Sequence, residues 1–172
     1  MASAIFQVLL ALKRVLTQAQ VTNYAGTTNI GNMTGAGGLA SAFDGITTQA
    51  STASAQGPAG AAGYVGKQWA ASKVMSQAVV YNTDGTSTVH WNSGSNSDTI
   101  TLTLYGKQTA PTGATDGTSL GSNSIVNGTT TNVTVTSTDQ LTAWAYNWIT
   151  ITSSAYAGGK LYISEVIFYE MV

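Results

Sequence analysis

Seven carboxylates hold most of the acid–base potential of this chain: Asp44, Asp84, Asp98, Asp116, Asp139, Glu165 and Glu170. They are few and scattered, with no pairing that suggests the acid and base of a glycosidase. A single histidine, His90, excludes any site that needs two imidazoles. The absence of cysteine excludes disulfides, thiolate metal sites and cysteine nucleophiles, and leaves the redox compartment open. Gly117-Thr-Ser-Leu-Gly121 matches the pattern G-x-S-x-G, but a nucleophile elbow needs a strand before its serine and a helix after it. Here the segment follows Asp116-Gly117 and runs on into Ser122-Asn-Ser-Ile125, a β context in a chain rich in Ser and Gly, so the match is a coincidence. The expectation is a protein that is not an enzyme.

The composition narrows the class further. In 172 residues, charged side chains make up 8% and the formal net charge is −1. Phosphate neutralisation needs clustered Lys and Arg, so a nucleic-acid partner is excluded. The only adjacent basic pair is Lys13-Arg14. Hydrophobic residues at 43%, with four Trp, eight Tyr and three Phe, argue for a packed core rather than a disordered chain. Solubility falls to hydroxyls and amides, with 27 Thr and 17 Ser.

Two textures divide the chain, residues 1–20 and residues 21–172. In the first, Ile5, Leu9, Leu12, Leu16 and Ala19 recur at 4-3-4-3 spacing, which predicts a short N-terminal α-helix that Ser3 caps. Phe6, Val8, Leu10 and Val15 widen the stripe, so the helix must bury against the domain, sister chains or another protein. Ile5, Phe6, Leu9, Leu12 and Leu16 are the expected assembly interface. A signal peptide is the weaker reading because Lys13-Arg14 follow the apolar stretch instead of preceding it. A membrane span needs roughly 18 or more apolar residues, and the same pair interrupts this one.

From Val21 onward the pattern is all-β. Ile100, Leu102 and Leu104 alternate with Thr101, Thr103 and Tyr105, and Asn132–Thr136 alternates likewise. Residues 141–152 and 160–170 are apolar on both faces, as expected of central strands, and 77–81 is another strand. Asp84-Gly85, Asp116-Gly117, Asn127-Gly128 and Gly158-Gly159 punctuate them as turns, whereas 50–63, rich in Ala, Ser and Gly, reads as loop. Short strands at this spacing predict a sandwich or barrel. Trp69 reads as core. Trp144, Tyr146 and Trp148 share one strand face that is core or protomer interface. Glu165 has the alternation of Leu161, Ile163, Ile167 and Tyr169, so it points where apolar residues point and needs a partner.

Four segments in order resemble the discoidin-type domain, the galactose-binding-like jelly roll of coagulation-factor type C domains and many bacterial carbohydrate-binding modules. They are Leu39-Ala-Ser-Ala-Phe-Asp-Gly45; Tyr64-Val-Gly-Lys-Gln-Trp69 with the Val79-Val80-Tyr81 strand; Leu102-Thr-Leu-Tyr-Gly106 with Thr115-Asp-Gly-Thr118; and Leu161-Tyr-Ile-Ser-Glu-Val-Ile-Phe-Tyr169. The match spans residues 34–170 and implies a discoidin-like jelly-roll β-sandwich behind the N-terminal helix. The Thr/Ala-rich, cysteine-free flavour resembles discoidin-like proteins of bacteriophage tails and fibres.

The resemblance also implies sites. Such modules bind sugars through loops at one end, with aromatic rings on the pyranose face and amides on its hydroxyls. That points to His90, Trp91 and Asn92. The alternative for Trp91 is a loop residue covering the core edge or touching a neighbour. Asp44 and Glu165 match family residues that contribute to a structural calcium site, for which hard oxygen ligands are suited. The chain departs from the family after Asp44-Gly45, where Ile46-Thr-Thr-Gln49 replaces the usual Asn and spaced Thr. The alternative is a carboxylate bonded to backbone N–H groups or to a lysine.

The resulting expectation is a non-enzymatic virion component of a bacteriophage (tail, fibre, collar or decoration protein), assembled in the host cytoplasm. Its helix would attach it to other virion proteins and to copies of itself, and its sandwich would decorate the particle or touch host surface glycan. The alternative is a bacterial carbohydrate-binding module.

Overall fold

The computed structural model describes residues 17–35, 37–48, 55–58, 61–82, 91, 98–130, 132–154 and 160–172. Two antiparallel sheets face each other. The larger is built from β2 (Thr28–Gly31), β4 (Gly63–Lys73), β9 (Trp144–Ser153), β6 (Thr99–Lys107) and β7 (Thr118–Val126), in the order β2-β4-β9-β6-β7. The smaller has the order β1-β11-β5-β8, from β1 (Gln18–Gln20), β11 (Glu165–Met171), β5 (Met75–Tyr81) and β8 (Asn132–Thr136). A two-stranded piece pairs β10 (Tyr162–Ile163) with β3 (Ala55–Gln56).

Alternation decides which side chains meet between the sheets. Ile100, Leu102 and Leu104 of β6, Ile149 and Ile151 of β9, Val65 and Trp69 of β4, Ala78 and Val80 of β5, Val133 and Val135 of β8, and Val166 and Phe168 of β11 form one buried cluster. Each fully buried aliphatic side chain contributes about 1.5–3 kcal/mol relative to leaving it in water. The sheets close on each other along the β7–β8 edge, where the Thr138 N–H and hydroxyl both donate to Leu120 O and Asn123 Nδ2 donates to Thr134 O. They part along the opposite β1–β2 edge. A 3-10 turn at Leu39–Phe43 and the Tyr24 ring fill that opening: Phe43 stacks on Phe168, and Tyr24 stacks on Trp69.

Three expectations are corrected. The helix predicted over 1–20 does not include its last residues, because Gln18, Ala19 and Gln20 pair with Met171, Glu170 and Tyr169 as the edge strand of the smaller sheet. The sandwich therefore begins before residue 21; Ile5, Phe6, Leu9, Leu12 and Leu16 lie outside the described residues. The segment 160–170 is not one strand, since a bend at Ser164 hands the chain from the small β3–β10 pair to the β5–β11 ladder. Part of the expected 50–63 loop is strand, namely β3 and the first residue of β4. Among the described residues no helix is long and apolar enough to cross a membrane.

Candidate functional site

The alternation that buries Val65 and Trp69 also turns Lys67 inward, and it is only 5% exposed. A lone ammonium there would be expensive, so its surroundings must compensate. Its Nζ lies 4.1 Å from the Phe43 ring centroid and 4.5 Å from that of Tyr24, and it donates to Asn29 Oδ1 at 2.6 Å. Ring quadrupoles attract a cation most strongly where water is excluded. Burial pushes the Lys67 ammonium below its ordinary pKa, and the negative charge of Glu165 pushes back.

Glu165 lies at the start of β11, in the sheet opposite Lys67, and is 4% exposed. Its Oε2 accepts the Gly45 N–H at 3.0 Å, which ties the 3-10 turn and its exit to the smaller sheet. Gly45 can present that N–H because it adopts φ 81°, a left-handed conformation that favours glycine. Burial is the main reason the Glu165 carboxyl is pushed up to about 7; the nearby Asp44 charge adds to the rise, while backbone N–H groups and Lys67 oppose it. Asp44 itself accepts the Ile46 N–H at 2.9 Å through Oδ1.

Asp44 and Glu165 are thus brought together, as the resemblance implied, but the set does not fit calcium. That ion takes six to eight oxygen ligands, among them ionised carboxylates. Here the resemblance supplies two carboxyls, each already accepting a backbone N–H, and the Lys67 ammonium acts on Glu165 through its positive charge. Among the described residues no group of three or more His, Asp or Glu is placed to hold a metal ion.

The expected sugar contacts fare differently. His90 and Asn92 lie outside the described residues. Trp91 is 0% exposed, and its ring belongs to the inter-sheet core, so it offers no face to a ligand. Its polar groups are engaged within the chain: the backbone N–H donates to Asn127 Oδ1 at 2.7 Å, the indole Nε1 donates to Thr130 O at 2.9 Å, and its carbonyl accepts the Tyr162 N–H. Trp91 ties the β7–β8 turn to β10, the covering role weighed as the alternative above. Trp69 is core as expected, with Nε1 donating to Asn147 Oδ1.

Trp148, read from the sequence as core or protomer interface, lies outside the inter-sheet cluster, in an aromatic row on the outer face of the larger sheet. Trp148 is buried there, stacked on Tyr105 at 5.4 Å and 11° and met edge-on by Tyr64 at 6.5 Å. The β6–β7 loop folds over this row, with Ala114 O accepting both Trp148 Nε1 and Thr150 Oγ1 at 2.7 Å. Asp116 clamps the loop by accepting Lys107 Nζ at 2.6 Å and the Thr112 N–H and hydroxyl at 2.8 and 2.7 Å. The Lys107 hydrogen bond, followed by those from Thr112, holds the Asp116 carboxyl well below the usual carboxylate range. Beside the aromatics runs a carpet of hydroxyls from Thr101, Thr103, Thr150 and Thr152, which are matched in register between β6 and β9.

No protein-family model matches this chain, and no curated protein matches it in sequence. Solved structures do. An F5/8 type C domain from Bacteroides fragilis superposes with TM-score 0.59 at 8% identity, over 90% of this chain and 97% of that one. A family 32 carbohydrate-binding module of C. perfringens NanJ, solved with galactose, gives 0.59 at 15% identity, over 90% of this chain and all of that one. A fucolectin from striped bass serum gives 0.61 at 12% identity, over 90% of this chain and 49% of that one. The fold is therefore that of the discoidin-type modules, a likeness of architecture at these identities. None of these neighbours links the chain to a bacteriophage.

Proposed function

We propose that this protein is a non-enzymatic glycan-binding domain of discoidin type. The observation that carries the reading is the superposition of 90% of the chain on a module solved with galactose. A lectin domain of lectinolysin, solved with a Lewis b antigen, also superposes over 90% of the chain. The composition supports the same reading, because a surface of hydroxyls, amides and tyrosines with few charges suits a neutral, hydroxyl-rich ligand. Candidate ligands are galactosyl and fucosyl glycans. Where a single site binds weakly, copies displayed together convert modest affinity into avidity.

A glycan array probed with the full chain on a multivalent carrier tests this. Binding to at least one galactosyl or fucosyl group, competed by the free sugar, is the expected result. Silence across the array at high display density would remove the glycan reading. The narrower expectation of a virion part, attached through residues 1–20 to other virion proteins, would then be the reading left to pursue. Mass spectrometry of purified particles is its direct check.

A further inference from the structure

Among the described residues, the β1–β2 edge is filled by segments from several elements, and they turn toward the same ammonium. Tyr24 comes from the β1–β2 connection, Asn29 from β2, Phe43 from the 3-10 turn, and Lys67 from β4. Glu165 contributes from the facing sheet and holds the exit of the 3-10 turn through Gly45. We propose that the Lys67 ammonium is the resident cation of this edge, joining the 24–46 region to β4 and β11 from within the chain, and that the domain takes no calcium there.

Three observations converge on it. Lys67 is inward by alternation and almost fully buried, so the charge is built into the core rather than draped over it. The ammonium lies against two aromatic ring faces and one amide oxygen, contacts that suit a monovalent organic cation rather than a divalent ion. The two carboxyls that the resemblance assigns to calcium each accept a backbone N–H, Asp44 from Ile46 and Glu165 from Gly45. A divalent ion beside Glu165 would also meet the repulsion of the Lys67 ammonium, whose charge already acts on that carboxyl. The consequence is a discoidin-type fold whose closure and ligand binding are insensitive to calcium chelation.

The full chain tests this without any substitution. Thermal unfolding in excess calcium chloride and in excess EDTA should give the same midpoint, whereas a native site filled at about a hundredfold over its Kd would raise the midpoint by several degrees. Terbium chloride is the second probe, because Tyr24 and Trp69 lie beside the site and would sensitise a bound lanthanide. No saturable luminescence is expected. A calcium-dependent rise in the midpoint, or saturable terbium emission abolished by Glu165→Gln, would overturn the proposal.

Substitution tests the cationic role itself. Lys67→Met keeps an unbranched stem of similar length and removes the charge; it should lower the midpoint in both buffers, with Lys67→Arg retaining more of it than Lys67→Met. An unchanged or higher midpoint for Lys67→Met would overturn the proposal. If Lys67→Met does not fold, that is the loss expected, and the calcium and terbium measurements on the unaltered chain still decide the metal question.

Discussion

A buried carboxyl and a buried ammonium face the same cost of leaving water, and here they meet it by different means. Burial lowers the Lys67 pKa while the Glu165 charge opposes the fall, and rings and an amide oxygen surround its nitrogen; burial moves Glu165 toward its neutral form at about 7. The sign for stability follows. The folded chain holds the Glu165 proton more tightly than the unfolded chain, whose carboxyl has its ordinary pKa of 4.5. The stabilisation this affords is complete below the unfolded value and is lost as pH rises through about 7. Thermal midpoints measured across that interval should fall with rising pH, and Glu165→Gln, which cannot titrate, should flatten that part of the profile. An equally steep profile in the variant would assign the dependence to another group. Lys67 was legible in principle, because Val65-Gly66-Lys67-Gln68-Trp69 places it with the apolar residues of an alternating strand. Trp91 was not, because nothing in a polar neighbourhood says that its ring reaches the core; hydrogen bonds to Asn127 and Thr130, distant in sequence, hold it there.

At the scale of elements, strands with strict alternation could be read directly. β8 has the bounds expected, and β6 extends the expected 100–105 run by one residue before and two after. Glycine hid the start of β4, because Gly63 falls in the stretch that reads as loop, yet Gly63 and Gly66 serve packing. A methyl group on Gly66 would run into the Asn147 carbonyl and the Trp148 side chain. Gly66→Ala should therefore cost about 3 kcal/mol, the upper end for overpacking, and lower the midpoint by several degrees in differential scanning calorimetry. A change below one degree would show that β4 and β9 can separate freely there. The β6–β7 loop makes a different prediction, since its clamp is exposed and acts locally. Asp116→Asn removes the charge that holds Lys107 and weakens acceptance from Thr112, so amide exchange across 108–117 should quicken while the global midpoint hardly moves. The clamp of the unaltered chain persists above the ordinary carboxylate range and loosens only in strong acid, because the folded pKa is depressed.

At the scale of the whole molecule, the chain is a sandwich closed by hydrogen bonds along β7–β8 and by an aromatic plug around an internal lysine along β1–β2. The architecture could be anticipated because the motifs that carried the resemblance fall on structural parts: the 3-10 turn, β4, β6 and β11. Which residues would contact a sugar could not be anticipated in the same way, since ligand specificity in such folds sits in loops rather than in the sandwich. Function therefore has to be read from binding. The most direct measurement is the retention of the full chain, displayed multivalently, on immobilised galactose and fucose, with parallel runs in calcium and in EDTA. The account predicts retention on at least one sugar, released by the free monosaccharide and equal in the two buffers. No retention on either sugar in either buffer would contradict it.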